Sequence, residues 1–436
     1  MSVNNGLFRL ANLLALMLCA NIAWALETDF GVAAKLEYTD NSLLEPDNEQ
    51  SEWQRGGLFG FSMIENTDRV TLDAKGVAEY RDFKNNTFNN DWRGDAALTG
   101  AWHILPQQLR WEVEDYFSTL LLDSTVADTP DNQINTNVLS TGPVATFRVS
   151  SVGRAELGAH YSRFAYESRR QDSNRSQGFV RYLRRHRANL ESSLNGIVEQ
   201  VNFDSEDIVS DYKRTDLFIG ASSSDPLNTW ALNLGLSSID KDRGDDVDGF
   251  LGRFNWRRYF RTTSYVGINA YTQYTDTGLN LLTAGQQQRV VTAASEQVSG
   301  DIFYDKRIEL SYQLGSVNRS INIRAEVRDE DYETQPLDRE TVGGRINLSL
   351  NRSSILTVGA FAEYRKYDYL DQNRKDDDVR AGLDLNYRLG RTLTFSGRYT
   401  YNSRESTQDT SEYRENRVLF YIYYGNDPLS YRVLPI

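Results

Sequence analysis

His160 is the residue best placed to do chemistry in a chain of 436 residues that holds three histidines and one cysteine. Glu156, His160 and Ser162 alternate with Leu157, Ala159 and Tyr161, so an extended backbone puts all three on one face. A carboxylate, an imidazole and a hydroxyl on one face are the parts of a hydrolase. A lipid hydrolase must present its serine to lipid, whereas this face is the polar one and is expected to point inward. His103 follows Trp102 beside a tight turn and reads as an interfacial side chain. His186 sits in the arginine-rich run 184–187 and reads as solvated. No His, Cys or carboxylate spacing suits a metal, and there is no glycine-rich phosphate loop. The chain is therefore expected to be no enzyme, with no cofactor and no metal.

The other candidates are charged and amide residues at alternate positions along the chain. They are Arg324, Glu326 and Arg328; Arg345 with Asn347; Glu363 with Arg365; Arg380, Asp384, Asn386 and Arg388; and Arg398. Side chains of this kind either pair across a wall and stiffen it, or form a field and hydrogen-bonding surface for a polar solute. Arg324, Arg345, Glu363, Arg380, Asp384, Arg388 and Arg398 are the pore-lining candidates.

The elements that must position them are strands. Leu356, Val358, Ala360, Ala362 and Tyr364 interleave with Thr357, Gly359, Phe361, Glu363 and Arg365. Val379, Ala381, Leu383, Leu385 and Tyr387 do so with Arg380, Gly382, Asp384, Asn386 and Arg388. One face is apolar and ends in tyrosine; the other is charged, which fits lipid outside and water inside. Hydrophobic residues make up 39%, and beyond the N-terminus no apolar run approaches the length of a membrane helix. Aromatics at 12%, with 25 tyrosines, suit the girdles of a transmembrane barrel.

Connections alternate between tight and long. Nine tight turns, such as 66–68, 106–108, 186–187, 316–320 and 390–391, join eighteen strands. An opening strand near 29–39 and a closing strand near 417–424 make about twenty, with eighteen as the lower count. The expected fold is an all-β, transmembrane, antiparallel up-and-down barrel over residues 26–436. Short turns mark the periplasmic end and long connections such as 40–51, 120–135, 276–294 and 403–415 the external end. No amphipathic helix stands out. A plugged receptor barrel is disfavoured because alternation begins at Phe30-Gly31-Val32, leaving no room for a plug.

Residues 1–25 read as a secretory leader. Arg9 supplies the charge, Leu10 to Leu18 the short apolar stretch, and Ala23-Trp24-Ala25 the cleavage site. Cleavage there removes Cys19, and with it any disulfide or thiol metal site. A net charge of −13 argues against nucleic acid. The aromatic strand Arg417 to Tyr424 resembles the signal read by the outer-membrane insertion machinery, although the chain runs on to Ile436.

Ala34-Lys-Leu-Glu-Tyr38-Thr-Asp40-Asn41-Ser-Leu-Leu resembles the first strand and loop of the putative β-barrel porin 2 group. Asp301-Ile-Phe-Tyr-Asp-Lys306-Arg307, Val317-Asn318-Arg319 and Tyr413-Arg-Glu-Asn416-Arg417-Val-Leu resemble its branch associated with exosortase and PEP-CTERM systems. The resemblance implies the outer membrane of a Gram-negative bacterium, reached with a cleaved signal peptide, and the company of exopolysaccharide genes. The expected function is a passive conduit associated with exopolysaccharide export or an exosortase system. The alternative is a non-conducting structural or assembly barrel. Expected partners are outer-membrane lipids, the insertion machinery and a polysaccharide or other polar polymer.

Overall fold

The computed structural model describes residues 26–167, 171–205, 210–286, 299–316 and 318–425. The expected leader at 1–25 and the tail beyond 425 lie outside the described residues. Twenty strands follow one another. The first seven are β1 Glu27–Thr39, β2 Glu52–Asn66, β3 Val70–Phe83, β4 Asp91–Leu105, β5 Leu109–Leu121, β6 Gln133–Arg148 and β7 Gly153–Tyr166. Then come β8 Ser173–Arg187, β9 Leu190–Phe203, β10 Tyr212–Ser224, β11 Asn228–Lys241, β12 Val247–Arg261 and β13 Ser264–Thr275. After a helix, α1 Thr277–Gln286, the chain continues with β14 Phe303–Ser316, β15 Arg319–Tyr332 and β16 Arg339–Asn351. It ends with β17 Leu356–Tyr369, β18 Arg374–Leu389, β19 Leu393–Ser406 and β20 Tyr413–Gly425.

Each strand pairs antiparallel with its neighbours in sequence, and β1 closes on β20 from Gly31↔Gly425 to Thr39↔Arg417. The sheet is thus a closed barrel without a free edge. Strand count matches the larger of the two expected numbers.

Side-chain polarity is inverted relative to a soluble barrel. On β10, Arg214 and Asp216 are each only 4% exposed, while Leu217 and Ile219, on the opposite face just beyond them, are each 60% exposed. Arg214 Nε donates to Asp216 Oδ1 at 2.9 Å, and Ser237 Oγ donates to the same oxygen at 2.6 Å. Polar groups therefore satisfy one another inside, and the outer wall is left apolar. Outward polar exceptions include Asp115 on β5, which accepts a 2.6 Å hydrogen bond from Asn137 Nδ2 on β6 and is shielded by its neighbours.

Aromatic residues ring the outside at two levels. Tyr38 packs on Trp53 and Tyr80 on Trp92 near the long-loop end. Trp102 opposes Trp111 near the tight-turn end. Trp92 and Trp102 stand ten residues apart on β4. At ~3.4 Å per residue and a tilt of ~45°, that spacing rises about 24 Å, close to the ~25 Å apolar band of an outer-membrane barrel.

Tight turns gather at one end, and Gly390 takes a φ of +77° in one of them, a conformation open to a residue without Cβ. The turn expected at His186-Arg187 lies two residues later, because β8 runs on to Arg187 through a register shift after Arg185. The connection expected over 403–415 is shorter, since β19 and β20 extend to Ser406 and from Tyr413.

Candidate functional site

Strand register assembles the inner wall. Arg324 stands opposite Arg345, Arg345 opposite Glu363, and Glu363 opposite Arg380. Arg345 Nη1 donates to Glu363 Oε2 at 3.1 Å, and Arg365 Nε reaches the other oxygen at 2.9 Å. Arg398 donates to Asp384 on the adjoining strand. Arg345, Arg380 and Arg398 hold their guanidinium carbons 5.0, 5.8 and 5.7 Å from the ring centre of Phe361. Gly382 makes room for that ring, since a Cβ there would meet Phe361 Cε1 at 2.5 Å. Five of the seven candidates, with Phe361, therefore form one patch. Arg324 is exposed on the inner face and makes no ion pair or hydrogen bond among the described residues. Arg388 is exposed near the tight-turn end.

Nearer the long-loop end the inner-wall side chains are buried and paired. Arg328 joins Asp305 at 2.8 Å and Glu330 at 3.2 Å, and Arg339 Nε meets Glu330 at 2.8 Å. Arg374 Nε binds Asp376 at 2.8 Å, and Arg404 Nε binds Asp378 at 2.7 Å. Loss of either partner of such a pair strands a buried charge.

Two segments cross the interior, and sequence periodicity gives no sign of either. The β5–β6 connection is tied to itself by Asn132, whose Nδ2 donates to the carbonyls of Asp123, Val126 and Ala127. It reaches the far wall, where Tyr369 Oη donates to Ser124 O at 2.9 Å and Arg374 Nη1 to Thr125 O at 2.7 Å.

The second segment is α1. Helix formation starts at Asp276, whose Oδ1 caps the Leu279 N–H at 3.1 Å. The same carboxylate takes Arg175 Nη1 at 2.8 Å and Nη2 at 2.7 Å from β8, and the Tyr212 hydroxyl at 2.8 Å from β10. Burial opposes charge on Asp276 most strongly, yet the Arg175 guanidinium and these hydrogen bonds hold its carboxyl below the usual range. Arg175 lies 4.0 Å over the Phe164 ring. Leu281 packs among Tyr116, Leu120, Ile134, Val138, Phe164 and Tyr166. Gly278 permits this contact, because a Cβ there would sit 2.3 Å from the Phe164 ring.

The expectation of an external loop over 276–294 is thus corrected over Asp276–Gln286, which turn inward as a helix. A signal lies in composition instead of period: near the long-loop end the inward positions Tyr116, Leu120, Ile134, Val138, Phe164 and Tyr166 of β5, β6 and β7 make a mostly apolar seat, broken by Ser118 and Thr136, inside a polar wall.

His160 does face inward, but its partner is Glu112, with Nε2 3.2 Å from Oε2. Ser162 bonds Ser140 Oγ at 2.9 Å instead of the imidazole. The three do not form a catalytic relay. Among the described residues there is no cluster of metal-ligating side chains.

Residues 336–423 match the family described as Putative beta-barrel porin 2. That span covers β16, β17, β18 and β19, most of β20 and none of the infolded helix; it contains Phe361 and every pore-lining candidate except Arg324. No protein of curated function matches the chain in sequence. Among solved structures, the siderophore receptor PirA from Pseudomonas aeruginosa is 11% identical over 92% of this chain and 80% of its own, at a TM-score of 0.42. The outer membrane protein opdK from Pseudomonas aeruginosa is 9% identical over 92% and 99%, at 0.39. The ferric enterobactin receptor PfeA from the same organism, a mutant, is 8% identical over 92% and 81%, at 0.47. The description of this chain as a barrel rests on its own closed strand ladder, not on those likenesses.

Proposed function

We propose that the protein is a porin-like barrel of the outer membrane, an aqueous and passive conduit for polar solutes, with no catalytic step. The observation that carries this reading is the inversion itself: an apolar outer belt between two aromatic girdles, around a wall of arginine, carboxylate, amide and hydroxyl groups. At twenty strands the wall's side chains do not fill the interior. Arg324, Arg345, Glu363, Arg380, Asp384, Arg388 and Arg398 line the path in this reading. Its cargo is a hydroxylated polymer of the exopolysaccharide class, exported in company with an exosortase system. The mature chain begins at Leu26, inserts through the outer-membrane machinery, and keeps its tight turns in the periplasm.

Proteoliposome swelling tests the reading. Vesicles holding the barrel should swell in sucrose and in a neutral trisaccharide, and vesicles without it should not. No swelling in any solute would overturn the conduit.

A second reading, a non-conducting structural barrel, draws on the two segments that cross the interior. They divide the cross-section near the long loops, and a closed division would stop flow.

A further inference from the structure

The tight-turn end of the barrel carries a charge opposite to that of the whole chain. Between β12 and β19, the stretches 258–264, 314–321, 351–356 and 388–392 enclose four successive tight turns. They hold Arg258, Arg261, Arg319, Arg352, Arg388 and Arg391 and not one Asp or Glu, in a chain of net charge −13. Arg261 and Arg319 are exposed, and neither guanidinium group makes a hydrogen bond or an ion pair among the described residues.

A cavity of about 430 Å³ opens beside these two arginines, between the β12–β13 and β14–β15 turns. Phe260, Tyr312, Leu314 and Ile321 give it apolar walls, and Arg261 and Arg319 supply its charge. Register pairs Leu314 with Ile321 and Ser316 with Arg319 on the outward face that Ile308 and Leu310 begin, so the cavity belongs to the lipid side. Trp256 opposes Trp230 near this end, as Trp111 opposes Trp102. Phe260 and Arg261 lie four and five residues beyond Trp256. At ~3.4 Å per residue and a tilt of ~45°, four residues descend about 10 Å from the aromatic girdle, into headgroup depth. The turn is fastened to β14: Thr263 Oγ1 donates to Gly315 O at 3.0 Å, and Gly315 N donates to Ser264 Oγ at 3.1 Å. Gly315 permits this approach, because a Cβ there would stand 2.7 Å from the Thr263 carbonyl oxygen.

We propose that this cavity binds an anionic glycerophospholipid of the leaflet at the tight-turn end, one whose headgroup is a phosphodiester without an amine. The phosphate accepts from Arg261 and Arg319, whose planar donor sets match phosphate oxygens. The acyl chains rise from it over Leu314, Tyr312 and Ile321 along the apolar wall. A headgroup that carries an ammonium is disfavoured, because no carboxylate lines the cavity to receive it. The proposal rests on the membrane placement of the barrel and is independent of whether the lumen conducts.

Native mass spectrometry of the full chain released from detergent micelles tests the site without requiring flow, so a barrel that fails to conduct still reports on it. Heat-modifiable migration certifies that each protein is a folded barrel; its absence from the native chain would overturn the barrel reading and this site with it. The probes are dioleoyl phosphatidylglycerol, dioleoyl phosphatidylethanolamine and inorganic phosphate. The variants are Arg261→Gln combined with Arg319→Gln and, as a control, Arg352→Gln, which removes the same charge from the next tight turn outside the cavity. The native protein and Arg352→Gln should hold phosphatidylglycerol about tenfold or more tighter than phosphatidylethanolamine, and the double variant should lose that preference. Inorganic phosphate at equal concentration should not displace the lipid. An unchanged preference in the double variant, equal loss in Arg352→Gln, equal retention of both lipids by the native protein, or displacement by inorganic phosphate would each overturn the proposal.

Discussion

Arg175 on β8 and Asp276 at the end of β13 are joined by hydrogen bonds of 2.7 and 2.8 Å across 101 residues of sequence. This pair fastens the start of α1 to a wall five strands away, with the Tyr212 hydroxyl as its third tie. Asp276→Asn removes the charge and leaves Arg175 buried alone, a loss of about 3–5 kcal/mol in systems of this kind. The expected outcome is a detached helix in an intact barrel. Limited proteolysis should then cut within 277–286 in the variant and spare those residues in the native protein, with both still migrating as folded barrels.

The same pair sets a pH dependence. The folded carboxyl of Asp276 lies below its ordinary value, so the attachment is at full strength above about pH 4, the unfolded carboxyl range. It weakens as pH falls from there through the lowered folded value. Protease sensitivity of 277–286, read with an acid-active enzyme, should rise only below that point. Release beginning near pH 6 would contradict the assignment.

Gly278→Val reaches the same end without touching a charge. Its side chain would overlap the buried Phe164 ring, which has no open space to enter. Proteolysis should again open 277–286, now with no dependence on acid.

How these residues meet was only partly legible in the sequence. Alternation along Val379 to Tyr387 states which side chains share a face, and with the turns it leads to twenty strands. Register then follows from turn length, so Glu363 falling between Arg345 and Arg380 is within reach of the sequence. The Arg175–Asp276 and Tyr369–Ser124 contacts are not. They span 101 and 245 residues and arise from loops bending inward, to which a period of two is blind. The helix was missed for a related reason: it is a single short element with glycines at 278 and 285, held by its seat on β5 to β7 more than by propensity.

Leu383 tests which face meets lipid. It is 60% exposed on the outer wall, and Leu383→Arg should cost roughly 2–4 kcal/mol of barrel stability. Arg324→Gln, on the inner face where the side chain is exposed and makes no ion pair among the described residues, should cost about 0.5 kcal/mol or less. Urea unfolding in lipid vesicles reads both, and equal losses would reverse inside and outside.

Orientation is checked by tags in the β1–β2 connection at 46–50 and in the turn at 352–355. Intact cells should label the first, and only permeabilised cells the second. The infolded start of the 276–298 segment makes it a poor place for the external tag.

Planar-bilayer recording of the purified barrel tests the central claim most directly. The native protein should give discrete openings whose size follows salt concentration. Arg380→Glu, Arg388→Glu and Arg398→Glu combined should move the reversal potential toward cation selectivity, most at low salt, where charges are least screened. Silence from the native protein and from Asp276→Asn alike would contradict an aqueous conduit and leave a structural barrel in its place.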